Sequence, residues 1–243
     1  MNTSSNRFIF IYSSVMVVIV AVLLSLASIG LGPMQAKNIR VEKMQNILTS
    51  VGVISEASGA EELFNRYIQE QVVLNNKGEV VKDNITVFDI DLKKELDKQR
   101  TGNAENQLFP LFVCNKEGKL YYIIPLRGKG LWGPVWGFIS LEEDLNTIYG
   151  ASFGHKSETP GLGAEINTKD FQAQFTGKKI FDESGKFVSV RVVKGNTDQT
   201  NLHKVDALSG ATITCDGVSE MIQRTLASYI PYFKRINKNN GEL

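Results

Sequence analysis

The chain has 243 residues, with 27 basic and 26 acidic side chains and a net charge of +1. A balance this close to neutral, with no long run of either sign, gives no electrostatic basis for nucleic-acid binding. The chain has only two cysteines, which form no Cys-x-x-Cys pair, and two histidines, so a zinc or iron-sulfur site within it is not expected.

Residues 8–31 form a stretch of 24 residues without a charge. As a helix this stretch would be about 36 Å long, enough to cross a hydrocarbon core of about 30 Å. It exceeds the apolar core of a cleaved signal peptide, about 7 to 15 residues, and no clear small-x-small cleavage site precedes Gly32-Pro33. Residues 1–36 are therefore read as an N-terminal tail and an uncleaved transmembrane anchor. The flanking charges, Arg7 before the span against Lys37, Arg40 and Lys43 after it, lean toward a cytoplasmic C-terminal domain.

Residues 37–118 are expected to hold membrane-proximal helices and an extension. Within them, 41–51 and 61–73 carry apolar residues at helical spacing, separated by a turn at Ser58-Gly59. Residues 119–243 are expected to form the main domain. Segments 119–126, 135–141, 147–153 and 187–193 predict strands, with 142–146 turning between two of them. Val218, Met221, Ile222, Leu226, Tyr229 and Ile230 then recur at helical spacing, and Pro231 predicts the end of that helix. The fold class expected is α+β: one transmembrane helix, then a domain on a mixed or antiparallel sheet without regular βαβ alternation. Cys114 and Cys215 are compatible with a disulfide or with two buried free thiols.

Ahead of the last helix runs Asp206-Ala207-Leu208-Ser209-Gly210-Ala211-Thr212-Ile213-Thr214. Ser209, Thr212 and Thr214 bring three hydroxyls within six residues, and Gly210 and Ala211 leave the backbone amides open to close approach. At a helix start, where amides lack partners and the dipole is positive, such a turn suits a phosphate. The same residues suit an ordinary capped helix, the commoner use of Ser and Thr at this place.

Two other glycine-rich stretches stand out. In Arg127-Gly128-Lys129-Gly130-Leu131-Trp132-Gly133-Pro134-Val135-Trp136-Gly137, Trp136 reads as a core anchor, whereas Leu131 and Trp132 could wall a flat ligand. The other is His155-Lys156-Ser157-Glu158-Thr159-Pro160-Gly161-Leu162-Gly163. Its Gly161-Leu162-Gly163 lacks the third glycine of a dinucleotide fingerprint, since Ile166 stands there. Gly177-Lys178 and Gly185-Lys186 lack the upstream glycine and following hydroxyl of a phosphate loop. His155 and Glu158, three apart in a loop, read as surface or hydrogen-bonding groups, and no metal site and no catalytic side chain is expected.

Ser209 to Thr214 is similar to the Ser/Thr-Gly-Ala-Thr-x-Thr motif of flavin-binding subunits, and Glu158 to Gly163 resembles the Glu-Thr-Pro-Gly-Leu-Gly loop of the same proteins. With the N-terminal span and the Gly-Lys-Gly-Leu-Trp turn in the same order, the chain resembles the C-subunit family of the sodium-translocating NADH:quinone oxidoreductases. The attachment motif is shared with the G subunit of the related complex that couples ferredoxin and NAD; the Gly-Lys-Gly-Leu-Trp turn and the long segment 37–120 favour the C subunit.

The resemblance implies that Thr214, with a hydroxyl taken as exposed, carries flavin mononucleotide (FMN) through a phosphoester bond. A separate flavin transferase would place it there from FAD. Ser209, Gly210, Ala211 and Thr212 would position the phosphate. Leu131 and Trp132 would line one side of the flavin ring, with Glu158, Thr159, Pro160, Gly161, Leu162 and Gly163 on the other, and amides of Thr159, Gly161 or Gly163 on its carbonyls. The resemblance further implies a single-pass subunit of a bacterial inner-membrane complex, with its FMN domain in the periplasm. There it would relay electrons from an iron-sulfur centre to another flavin subunit while the complex moves sodium outward and reduces quinone. The chain is not expected to oxidise NADH alone. A membrane-anchored module without redox function is the reading if the hydroxyl turn is only a cap.

Overall fold

In the computed structural model, residues 5–82, 85–195, 198 and 200–239 are described. Helix α1 (Asn6–Ser50) is 45 residues long and contains a stretch long and apolar enough to cross a membrane. The helix runs unbroken through Gly30, Gly32 and Pro33. A proline withdraws only one N–H from the helical ladder, and Met34, Gln35 and Ala36 beyond it are good helix formers. The chain divides into two compact units, Met1–Lys43 and Met44–Leu243. The last seven residues of α1, from Met44 to Ser50, belong to the second unit. There Met44, Ile47 and Leu48 are buried, and the Ser152 hydroxyl donates to the Asn46 carbonyl at 2.9 Å.

The segment 61–73, expected as one helix, splits into α2 (Ala60–Tyr67) and strand β1 (Ile68–Asn75). Val72, Val73 and Leu74 pair with Leu111, Pro110 and Phe109 of β2 (Leu108–Lys116), and this distant pairing overrides a local helical spacing. Strand β2 itself was not expected. Pro110 interrupts its apolar run, and a proline argues against a strand when the partner is out of sight. Between β1 and β2 lies α3 (Leu92–Lys98), capped by the Asp91 carboxylate, which accepts from the amides of Lys93 and Lys94.

Strands β3 (Lys119–Lys129), β4 (Pro134–Leu141) and β5 (Ile148–His155) follow at the expected places. All neighbours pair antiparallel in the order β1-β2-β3-β4-β5, so residues expected as an extension supply two of the five strands. After α4 (Lys169–Ala173), the expected strand 187–193 shortens to β6 (Arg191–Val193). It pairs in parallel with β7 (Lys204–Asp206). Helix α5 (Thr212–Asn239) closes the fold and packs against β3. The fold is α+β, with an N-terminal apolar helix and an antiparallel sheet.

Pro231 does not end α5, which continues to Asn239. Tyr229, Tyr232 and Phe233 are buried around the proline, and this packing offsets the lost backbone bond. The Tyr229 ring lies 5.6 Å from that of Phe109, and its hydroxyl donates to the Pro110 carbonyl at 2.6 Å. Tyr229→Phe, which strands that carbonyl, should cost about 1–3 kcal/mol in urea unfolding. Tyr229→Ala, which also removes the ring, should cost about 3–5 kcal/mol.

Cys114 in β2 and Cys215 in α5 are both free and buried. Burial pushes the Cys114 thiol up to about 11 and raises that of Cys215, so both are thiols rather than thiolates at neutral pH. Iodoacetamide at pH 8 should therefore leave the folded chain unlabelled and add two groups, counted by mass, once urea unfolds it.

Candidate functional site

The glycine-hydroxyl run turns into the first turn of α5. Gly210 has φ +74°, a left-handed conformation that a side chain would strain. The amide of Cys215 donates to the Ala211 carbonyl at 2.9 Å as the helix begins. Ser209 and Thr212 are exposed at this turn and Ala211 is buried. Thr214 is not exposed, as the sequence suggested, but is 1 % accessible. As the third residue of α5 it points inward, on the face that also buries Cys215 and Val218.

The Thr214 hydroxyl donates to Glu158 Oε2 at 2.6 Å, and Glu158 Oε1 accepts the Trp132 amide at 2.9 Å. One buried carboxylate thus joins all three motifs, which are far apart in sequence. The Glu158 amide donates to His155 Nδ1 at 3.3 Å, which gives that histidine a hydrogen-bonding role in the loop. Two glycines make room for the carboxylate: a methyl carbon on Gly130 would lie 2.6 Å from Glu158 Oε1. One on Gly163 would lie 2.6 Å from Glu158 Oε2 and 2.7 Å from Thr214 Oγ1. These residues are glycine because the acid and the hydroxyl occupy the space.

The turn before β4 is closed by the Gly130 amide donating to the Gly133 carbonyl at 2.8 Å, and Ser157 Oγ donates to the Trp132 carbonyl at 3.2 Å. Thr159, Pro160, Gly161 and Leu162 are exposed, and Gly163 is buried. The Thr159 carbonyl accepts the amides of Leu162 and Ala164, and the Gly161 amide is already held by Glu165 Oε1 at 2.8 Å. Leu162 leans over the turn before α5, its Cδ2 2.7 Å from where a methyl carbon on Gly210 would stand.

Among the described residues, seven large apolar side chains beyond α1 are exposed. Four of them, Leu131, Trp132, Leu162 and Ile213, come from these three motifs and are 40–66 % accessible. Exposed apolar groups clustered around a buried polar pair mark a ligand surface more readily than chance. Trp136, expected as a core anchor, is half-buried, with the Arg127 guanidinium 5.7 Å from its ring centroid. A cavity of 390 Å³ shares Gly128, Lys129 and Gly133 with the same turn. Lys93, Arg100, Arg127, Lys129 and Arg224 line it against Asp97 and Glu220. None of the four apolar side chains, nor Thr214 or Glu158, lines that cavity.

Sequence reasoning placed Leu131, Trp132, Glu158 and Thr214 at one site but missed that Glu158 is its buried centre. Its one visible signal is an acid between glycine-rich turns, and a loop acid is ordinarily solvated.

The FMN-binding domain family matches residues 130–227, a span that contains all three motifs from Gly130 onward. The class is thus a flavin-binding domain behind an apolar N-terminal helix. The C subunit of the Na(+)-translocating NADH-quinone reductase of Vibrio vulnificus is 34% identical over 209 residues, 82% of each chain. That of Neisseria meningitidis serogroup A is 33% identical over 238 residues, 92% of each chain. The crystal structure of the corresponding C subunit from Parabacteroides distasonis superposes with a TM-score of 0.73 at 43% identity, over 82% of this chain and 95% of that one. The chain belongs to the C-subunit family of the Na(+)-translocating NADH-quinone reductases.

Gly163→Ala should force Glu158 and Thr214 apart and cost about 1–3 kcal/mol by thermal unfolding. Gly59→Ala, where a methyl carbon meets open space at φ −101°, should stay within about 0.5 kcal/mol of the parent.

Proposed function

We propose that this chain is an electron-carrying subunit that holds FMN on the Thr214 hydroxyl through a phosphoester bond. The observation that carries the reading is the Thr214 hydroxyl in the first turn of α5, joined through Glu158 to the two other motifs, all three of which carry exposed apolar side chains. The residues present fit the group. The start of a 28-residue helix favours a phosphate, and the exposed Ser209 and Thr212 hydroxyls with the Gly210-Ala211 backbone stand beside it. Leu131 and Trp132 offer an apolar wall on one side, and Thr159, Pro160, Gly161, Leu162 and Gly163 form the other. Glu158 serves this site from beneath, through Thr214 and the Trp132 amide.

Flavin mononucleotide supplies a carrier that can accept and release electrons singly or in pairs. The chain's own part is to fix that carrier in place. A covalent tether on a buried helix position would prevent its loss, and the apolar neighbours would exclude water from part of the ring. The proposed partners are the other subunits of the membrane oxidoreductase, with an iron-sulfur centre as donor and a flavin subunit as acceptor. A flavin transferase acts during maturation. In this reading α1 anchors the chain in the bacterial inner membrane with the FMN domain in the periplasm, and the complex couples NADH oxidation and quinone reduction to outward sodium transport.

Co-expression with a flavin transferase should give an intact mass raised by one FMN and a denaturing gel band that fluoresces under ultraviolet light. Thr214→Val should lose both signals; because it deletes a hydrogen bond to a buried carboxylate, it should also lose about 1.5–3 kcal/mol of stability. Ser209→Ala and Thr212→Val should lower loading only in part. Flavin retained covalently by Thr214→Val would overturn the assignment.

A further inference from the structure

Glu158 Oε2 accepts the hydrogen of the Thr214 hydroxyl across 2.6 Å, in a place where Thr214 is 1 % and Glu158 4 % accessible. The second carboxylate oxygen takes the Trp132 amide, and among the described residues Glu158 belongs to no ion pair with a lysine or arginine. Gly130 and Gly163 confine it on two sides. The acid is thus oriented by two donors, and one of them is the hydroxyl on which the flavin is proposed to be placed.

A hydroxyl attacks phosphorus as it gives up its proton, and the group that receives the proton must lie within about 2.6–3.2 Å of the oxygen. In this fold Glu158 meets that reach. We propose that Glu158 is the proton acceptor for Thr214 during flavin attachment, a role that rests on Thr214 being the attachment residue. Thr214 Oγ1 forms the new bond to the flavin-side phosphorus of FAD, which the transferase presents. The phosphorus–oxygen bond of the diphosphate breaks, AMP leaves with the bridging oxygen, and the hydroxyl proton passes to Glu158 Oε2.

The product explains why the proton stays. Bonded to phosphorus, Oγ1 has no hydrogen left to donate, and the phosphodiester sets a negative charge beside the acid. An ionised Glu158 would face a like charge with one of its two donors gone. A neutral Glu158 turns into a donor and hydrogen-bonds the phosphoester oxygens instead. Thr214 Oγ1 is buried against Gly163, where a methyl carbon would come within 2.7 Å of it, so the proposed attack needs this loop to give way. The glycines at 161 and 163 permit this movement while Glu158 stays held by the Trp132 amide.

The full chain is incubated with flavin transferase and FAD, and loading is timed by intact mass. Glu158→Gln, which keeps the shape but lowers the basicity, should load about 100-fold more slowly or worse, with circular dichroism and melting that show a folded domain. Loading of this variant at the parent rate overturns the proposal. Should the variant fail to fold, infrared difference spectra of the parent decide. A neutral carboxylic acid carbonyl band that appears on loading supports the proposal, and its absence from fully loaded protein overturns it. If the parent itself never gains flavin, the attachment reading falls first and this role with it; a parent that loads beside an equally fast Glu158→Gln refutes the role of Glu158 alone.

Discussion

The close contact of α5 with β3 governs the rest of the domain. At Gly217 the helix backbone comes so near the Lys129 carbonyl that no side chain could be inserted, and at Gly128 the strand leaves room for Met221. Two missing side chains therefore fix the height of the helix over the sheet. That height fixes the depth at which Thr214, one turn before Gly217, enters the interior. The turn after β3 is placed by the same contact, because Lys129 and Gly130 lead directly into Leu131 and Trp132.

Burial then decides what Glu158 can be. A carboxylate removed from water is costly unless its oxygens are satisfied, and here a hydroxyl and a backbone amide satisfy them. The acid in turn keeps the Trp132 turn and the helix start in register, although neither touches the other through its own backbone bonds. A polar junction of this kind gives the site one arrangement where an apolar contact would permit several.

Much of this architecture was legible in the sequence where the signal is local. The apolar run of α1, the β-branched and aromatic strands β3 to β5, the amphipathic spacing of α5 and the hydroxyl turn at its start are all periodic or compositional features. What escaped is non-local. Residues 68–73 keep a helical spacing and become a strand only because β2 lies beside them, and β2 hides behind Pro110. Pro231 fails to end α5 because Tyr229, Tyr232 and Phe233 hold the helix on the sheet. The hydroxyl turn was legible, but the burial of Thr214 was not, since that follows from the face of α5 turned toward an acid 56 positions upstream.

The order in which the site comes together follows from the meander. Strands β2 to β5 pair with their immediate sequence neighbours, so the sheet can be assembled strand by strand in chain order. Helix α5 is synthesised last, and only its docking brings Thr214 beneath Gly163 and against Glu158. The hydroxyl is thereby set in place by the final step of folding, and under the proposed attachment an enzyme acting on it in that setting would read a finished domain, discriminating against unfinished chains without a separate quality check.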